Sequence, residues 1–168
     1  MWKIQRTLVV LKPDAIWRSV IWEVIGRFER AGLHIVAMKM VKPDADFFKG
    51  HYEDIGQLGT RRWDNVLNRV VKDMMATPVL AMVIEWVEVI EYVRKLVWPT
   101  EPKSAMPGTI RWDFAHISFA YVDKNPDASV YNLIHASADA WEAEQEIKHW
   151  FSDGEMFNYD PLHSNYTR

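Results

Sequence analysis

The chain has 168 residues, 49% of them hydrophobic, enough to bury one good core but not two independent ones. With no cysteine it has no disulfide framework, no thiolate metal site and no cysteine nucleophile, a composition that suits a reducing, cytoplasmic setting. A net charge of −3 provides no global attraction for nucleic acid, so any polyanion must be held by a local cluster of cations.

Met1 to Thr7 lack the long apolar run of a signal peptide. Thr7 to Leu11 is apolar and β-branched and reads as a strand, broken by Lys12-Pro13-Asp14. From Arg18 to Ala31, the residues Val20, Ile21, Val24, Ile25 and Phe28 recur at helical spacing, with Gly32 as the C-cap. His34 to Val41 alternates as a second strand, with Val36, Met38 and Met40 expected on one side. Helical stretches follow at Asp44 to Tyr52 and Asp64 to Met75, then the apolar strand Val79 to Ile84. Val89, Tyr92, Val93 and Leu96 mark another helix, and Glu85, Glu88, Glu91, Arg94 and Lys95 interrupt this apolar region too often for a membrane span. Irregular chain from Pro99 to Gly108 leads to a strand expected near His116 to Tyr121. Ala140 to Phe151 closes the series as an amphipathic helix, Ala143, Ile147, Trp150 and Phe151 inward and Glu142, Glu146 and His149 on another face. This order predicts one domain over residues 1–168, of α+β class: a ferredoxin-like split βαβ arrangement whose antiparallel sheet is covered by helices.

Among six histidines, His135 has the most suggestive surroundings. It sits in Asn132-Leu133-Ile134-His135-Ala136-Ser137, between an apolar pair and small residues, just ahead of the last long helix. A surface or packing role is the commoner fate of a single histidine. Eleven residues on, however, Glu146 is a carboxylate able to hold one ring nitrogen, fix the tautomer and leave the other nitrogen free to attack.

Several separated motifs follow one another along the chain: Arg6-Thr7-Leu8-Val9-Val10-Leu11-Lys12-Pro13-Asp14, His51-Tyr52, Pro107-Gly108-Thr109-Ile110-Arg111, Asp113-Phe114 and Asn132 to Ser137. Taken together and in this order, they resemble the nucleoside diphosphate kinase family over nearly the whole chain. The resemblance implies a ping-pong reaction, in which a histidine takes the γ-phosphoryl of a nucleoside triphosphate and passes it to a nucleoside diphosphate. His135 matches the phosphorylated nucleophile, Lys12 the lysine that neutralises the moving group, and Tyr52 the phenol beside it. Arg94, Thr100 and Arg111 match phosphate-binding residues, Asn132 a ribose contact, and Ser137 and Glu146 the pair that holds the nucleophile. The implied partners are ATP and other nucleoside di- and triphosphates, within a homo-oligomer, a tetramer or hexamer, and with neither membrane nor nucleic acid. Mg²⁺ would be held mainly by nucleotide phosphates and water, with Asp54 and Asp139 as candidate outer-sphere helpers.

The chemistry agrees with the resemblance. Phosphoryl transfer consists mainly of positioning and of stabilising charge on nonbridging oxygens, and two arginines and a lysine provide that charge. Arginine also grips phosphate through two donors at once. No G-x-x-x-x-G-K-[ST] loop is present, so cationic side chains must replace a P-loop's backbone amides.

The chain also departs from the family. It is longer between Tyr52 and Pro78, and the aromatic that usually stacks on the base has no secure counterpart, which leaves base contacts unassigned. A second extension between Phe114 and Asn132 includes Tyr121 to Asp127, expected as a surface excursion. Ala136 replaces the usual glycine after the histidine, a change tolerated where φ stays negative. Nine tryptophans stand against seven glycines, and Trp22, Trp63, Trp86, Trp98 and Trp112 fall where the family carries glycine. Two readings stay open: the indoles build hydrophobic or subunit contacts, or glycine codons have been rendered as tryptophan. UGG codons at Trp22, Trp98 and Trp112 decide for the first. Genuine indoles at positions where glycine held a positive φ would carry strain of roughly 1–2 kcal/mol each. The competing function is a catalytically weak or inactive nucleotide-binding or scaffold homologue with tryptophans crowding its pocket; retention of His135, Lys12, Arg94 and Arg111 argues against it.

Overall fold

The computed structural model describes residues 3–56, 64–125 and 127–167. Its centre is β1 (Ile4–Leu11), whose segment Thr7 to Leu11 is wholly buried. From Leu8 to Leu11 the run is apolar at every position because both sheet faces are covered: Leu8 and Val10 enter one core, Val9 and Leu11 the other. With β2 (His34–Val41), β3 (Val79–Val87) and β4 (Ile134–Ala136) it forms one sheet in the order β2-β3-β1-β4, every neighbouring pair antiparallel. This is the expected α+β, ferredoxin-like arrangement.

On one face, α2 (Ile21–Arg30) and α5 (Val89–Val97) pack Val24, Phe28, Val89 and Val93 against Val9, Met82 and Ile84. On the other, α3 (Ala45–Lys49), α4 (Asp64–Met74) and α8 (Ala140–Trp150) bring Phe48, Leu67, Val71, Ile147 and Trp150 onto Leu8, Val10 and Val83. A π-helical turn, Gly50–Ile55, follows α3 directly.

Several expected elements are revised. The helix predicted from Arg18 starts at Ile21, and the segment read as a break carries a short helix of its own, α1 (Pro13–Trp17), which starts on its proline and is separated from α2 by Ser19 at φ 55°. In β2 a bulge between Ile35 and Ala37 reverses the alternation. Val36 and Ala37 are therefore buried, while Met38 and Met40 lie on the opposite face and are half exposed, so the three expected partners do not share a side. Tyr92 is also largely exposed, and the buried face of α5 is Val89, Ile90, Val93 and Val97.

No strand forms near His116 to Tyr121. Instead α6 (Ile110–Phe114) and α7 (Phe119–Lys124) are short helices, each opened by a hydroxyl cap: Thr109 accepts from Trp112 N–H and Ser118 from Tyr121 N–H. Five or six residues make too few turns to display a helical period. The surface excursion expected at Tyr121 to Asp127 is thus partly helical, with Val122 buried. On α8, Glu142 and Glu146 are buried rather than solvated, Glu146 at 0% exposure.

Trp2 and Trp63 lie outside the described residues. Of the remaining tryptophans at the family's glycine positions, none has a positive φ, so none carries the strain considered above. Ala136 likewise keeps a negative φ within β4. Trp22 is 79% exposed, whereas Trp86 is 5% exposed and donates its Nε1–H to the Thr167 carbonyl at 2.6 Å. Urea unfolding of Trp22→Gly should reveal a loss no greater than about 1 kcal/mol, the helix penalty of glycine. Trp86→Gly should cost about 3–5 kcal/mol through the cavity it opens, and equal losses at the two sites would refute this division.

Candidate active site

The site begins at a backbone turn. Leu133 adopts φ 67°, and its N–H donates to Asp14 Oδ2 at 2.9 Å while its carbonyl accepts from Lys12 N–H at 2.8 Å. These bonds hold a left-handed, non-glycine residue in place and steer the chain into β4, where His135 lies opposite Val10. Ser137 continues the connection to β1, since its hydroxyl accepts from Leu8 N–H at 3.1 Å and its own N–H donates to Leu8 O at 3.2 Å.

His135 Nε2 is 2.8 Å from Glu146 Oε1, and Ser137 Oγ–H donates to Glu146 Oε2 at 2.6 Å. Burial by itself pushes the Glu146 carboxyl up, but the charge and hydrogen bond of His135, the nearby His51 and the Ser137 hydroxyl outweigh it and hold the pKa at about 2. An ionised carboxylate can only accept, so it places the imidazole proton on Nε2 and leaves the lone pair on Nδ1.

Lys12 Nζ donates to Asn132 Oδ1 at 2.8 Å, and Asn132 Nδ2 donates to Thr100 O at 2.9 Å. Arg111 is buried and donates to three carbonyls: Asn132 at 3.2 Å, Pro99 at 2.8 Å and Ile134 at 2.6 Å. It therefore ties the strand bearing His135 to the loop after α5, a structural task that its sequence position does not reveal. Arg94 Nη1 donates to Ala136 O at 3.4 Å, and its guanidinium lies 4.4 Å from the Trp98 ring centroid. Burial, then repulsion from Arg111, lowers Lys12 to about 8; burial, then Arg94, lowers Arg111 to about 10.

Tyr52 lies beside His135, ring centroids 6.2 Å apart. Its buried hydroxyl has no hydrogen-bond partner among the described residues, and burial followed by the charge of Glu146 raises its pKa, so it remains a phenol able to donate. His51 was expected only as a motif neighbour, yet it is fully buried, stands edge-on to His135 at 4.6 Å and accepts from Trp150 Nε1–H at 3.2 Å. Burial, then His135, drives its pKa well below the usual histidine range, so it is neutral.

Lys12, Tyr52, Arg94, Thr100, Arg111, Asn132, His135 and Glu146 line one cavity of about 340 Å³, with Ser137 behind Glu146. Trp98 is also part of the wall without filling the space. Asp54 is exposed and away from this lining, and the Asp139 carboxylate accepts from Glu142 N–H as the cap of α8, so neither is positioned as an outer-sphere helper. Sequence reasoning missed Asp14, although its place in Lys12-Pro13-Asp14 was visible, and it missed His51 and Trp150, whose pairing spans 99 residues.

An imidazole held by a buried carboxylate, in a cavity that three cations also line, on a ferredoxin-like fold, is the arrangement of a phosphotransferase. The family model described as nucleoside diphosphate kinase matches residues 5–156. A nucleoside diphosphate kinase of Borreliella burgdorferi is 46% identical over 158 residues, covering 93% of this chain and 92% of that protein. The solved transition-state mimic of the nucleoside-diphosphate kinase from Borrelia burgdorferi, with bound vanadate and ADP, superposes with a TM-score of 0.90 at 44% identity, covering 95% of this chain and 94% of the other. A halophilic nucleoside diphosphate kinase from Halobacterium salinarum in complex with CDP has a TM-score of 0.84 at 29% identity over 99% of both chains. The chain belongs to the nucleoside diphosphate kinase family.

Proposed function

We propose that this single-domain chain transfers the γ-phosphoryl group of a nucleoside triphosphate to a nucleoside diphosphate through phosphorylated His135. The observation that carries the reading is the His135–Glu146 bond at 2.8 Å, which commits the proton to Nε2 and leaves Nδ1 as the nucleophile of a cation-lined cavity. In the first half-reaction, Nδ1 forms a bond to the γ-phosphorus as the bond to the β–γ bridging oxygen breaks. The departing diphosphate keeps that electron pair. Charge gathered on the imidazole is balanced by Glu146. The second half-reaction reverses these steps with a different diphosphate.

Lys12, Arg94 and Arg111 supply positive charge to the phosphates, and the free Tyr52 hydroxyl supplies a donor. We assign Thr100 to the same phosphates and Asn132 to the ribose as well as to Lys12. A Mg²⁺ ion held mainly by phosphate oxygens and water fits this site: the carboxylates of Asp14 and Glu146 are already bonded to Leu133 N–H and to the His135–Ser137 pair. When bound, the ion neutralises phosphate charge. No described helix is long and apolar enough to cross a membrane, and the reading places the enzyme in the cytoplasm as a homo-oligomer, tetramer or hexamer. The half-exposed Met38 and Met40 of β2 are apolar surface suited to such assembly.

Incubation with γ-labelled ATP should leave an acid-labile phosphate on His135, discharged by a chase of another nucleoside diphosphate. Folded protein that binds nucleotide without labelling would return the binding-only reading. Glu146→Gln, which loses the charge that balances the imidazolium, should lower kcat by about 10- to 100-fold; an unchanged kcat would remove Glu146 from the chemistry.

In the free enzyme, Lys12 loses its proton near pH 8 rather than near 10.5, so kcat/KM should fall as pH rises through about 8. Lys12→Arg should flatten that limb. The sign for stability is opposite: between about 8 and 10.5 the unfolded chain binds the extra proton, so this group makes folding more favourable as pH rises through that window. A kcat/KM limb that persists unchanged in Lys12→Arg would assign it to another group.

A further inference from the structure

One helix, α8, presents two polar groups on the same side, one turn apart: the Glu146 carboxylate and the Trp150 indole. Glu146 Oε1 is bonded to His135 Nε2 at 2.8 Å, and a second imidazole stands near the same oxygen, with His51 Nδ1 at 3.8 Å. His51 comes from the π-helical turn after α3, is 1% exposed and is set edge-on to His135. No step of the transfer described above employs it.

Its Nδ1 is nonetheless committed. Trp150 Nε1–H donates to that nitrogen at 3.2 Å, so the ring's proton sits on Nε2, which has no hydrogen-bond partner among the described residues. Without the indole donor the tautomer would be drawn the other way, because a proton on Nδ1 would face a buried carboxylate whereas a proton on Nε2 gains no bond. The indole is itself held in place: Trp150 is buried with Phe47 edge-on at 4.8 Å, and a buried indole N–H needs an acceptor. A His51 that donated to Oε1 would share the negative charge on which His135 depends to keep its proton on Nε2 and its lone pair on Nδ1.

Resting on the kinase reading above, we propose that Trp150 and His51 are a pair of positioning residues for the nucleophile: Trp150 holds His51 Nδ1 as an acceptor, which stops His51 from donating to Glu146 and reserves that carboxylate's Oε1 for His135. The same helix thus supplies both the carboxylate that orients His135 and the N–H that keeps a competing imidazole off it. Neither residue touches the phosphoryl group in this role, and both act through Glu146.

The test combines imidazole ¹⁵N NMR of the free, full-length chain with phosphoryl-transfer kinetics. In the wild type both His51 and His135 should carry their proton on Nε2. Trp150→Phe, which keeps an aromatic ring in the core and removes the N–H, should move the His51 proton to Nδ1 and lower kcat about tenfold with KM within about twofold. Adding His51→Leu, a side chain of similar size with no donor, should recover most of that loss, whereas a purely structural pair would lose more. A wild-type His51 proton on Nδ1 would overturn the assignment without any variant having to fold. So would an unchanged kcat in Trp150→Phe, a loss of kcat without the proton shift, or a double variant no faster than Trp150→Phe. Wild-type protein with the expected proton positions that never labels His135 would sink the kinase reading and leave the pair's hold on Glu146 standing.

Discussion

His135→Asn is expected to abolish phosphoryl transfer while leaving the fold intact. Asparagine can still donate an amide N–H toward Glu146 Oε1, so the buried carboxylate keeps a partner, but no basic lone pair then occupies the place of Nδ1. With the nucleophile gone, the remaining cations only bind, and turnover should fall by at least about 10⁴-fold, as when a catalytic unit loses its central member. Two measurements check this: the acid-labile label after incubation with γ-labelled ATP, and the urea midpoint. Label retained by the variant would point to another acceptor, and the neutral, buried His51 is the nearest imidazole, its ring 4.6 Å away. A collapsed midpoint would instead mean that the ring is needed for packing.

Arg111→Ala should impair folding and activity together. The guanidinium joins Pro99, Asn132 and Ile134 by their carbonyls, and two of these flank or lie in the segment that presents His135. Removing it leaves buried acceptors unsatisfied, a loss of about 3 kcal/mol or more. For a domain of this size that corresponds to a drop in Tm of roughly 6–12 °C. Turnover should fall about 100-fold or more, because a donor to the phosphates is lost and β4 loses its tether. Arg111→Lys separates the two tasks: it keeps the charge but cannot span three carbonyls from a single nitrogen. Phosphate affinity should recover in part and thermal stability should not. An Arg111→Ala variant with wild-type Tm and only a raised KM would make Arg111 a phosphate ligand and nothing more.

The long elements were legible because their burial repeats along the chain. The apolar run of β1, the helical period of α2 and the amphipathic stripe of α8 each reflect a face pressed on a core. Where burial is not periodic, reading fails. The bulge at Ile35 and Ala37 shifts two methionines to the other face by one extra residue. Two helices of five and six residues resemble irregular chain or a strand, and β4 is only three residues long, so its existence depends on the neighbouring β1. Glu142 and Glu146 look like the solvated side of a helix, yet both are buried because their carboxylates meet donors from the segment that follows β4: Ala138 N–H for Glu142 and Ser137 Oγ–H for Glu146.

The sequence by itself determined the chemistry available to this protein: one histidine in a recognisable setting, the separated cations that match it, and a family with a known reaction. Side-chain type sets which groups can attack, donate or carry charge, and motif order specifies their arrangement along the chain. Only the tertiary structure decided which nitrogen of His135 keeps its lone pair, that Arg111 braces the strand as well as facing the cavity, and that His51 and Asp14 line that cavity too. Those properties arise from contacts between residues 11 to 119 positions apart and from desolvation, and neither exists until the sheet closes and the helices cover it.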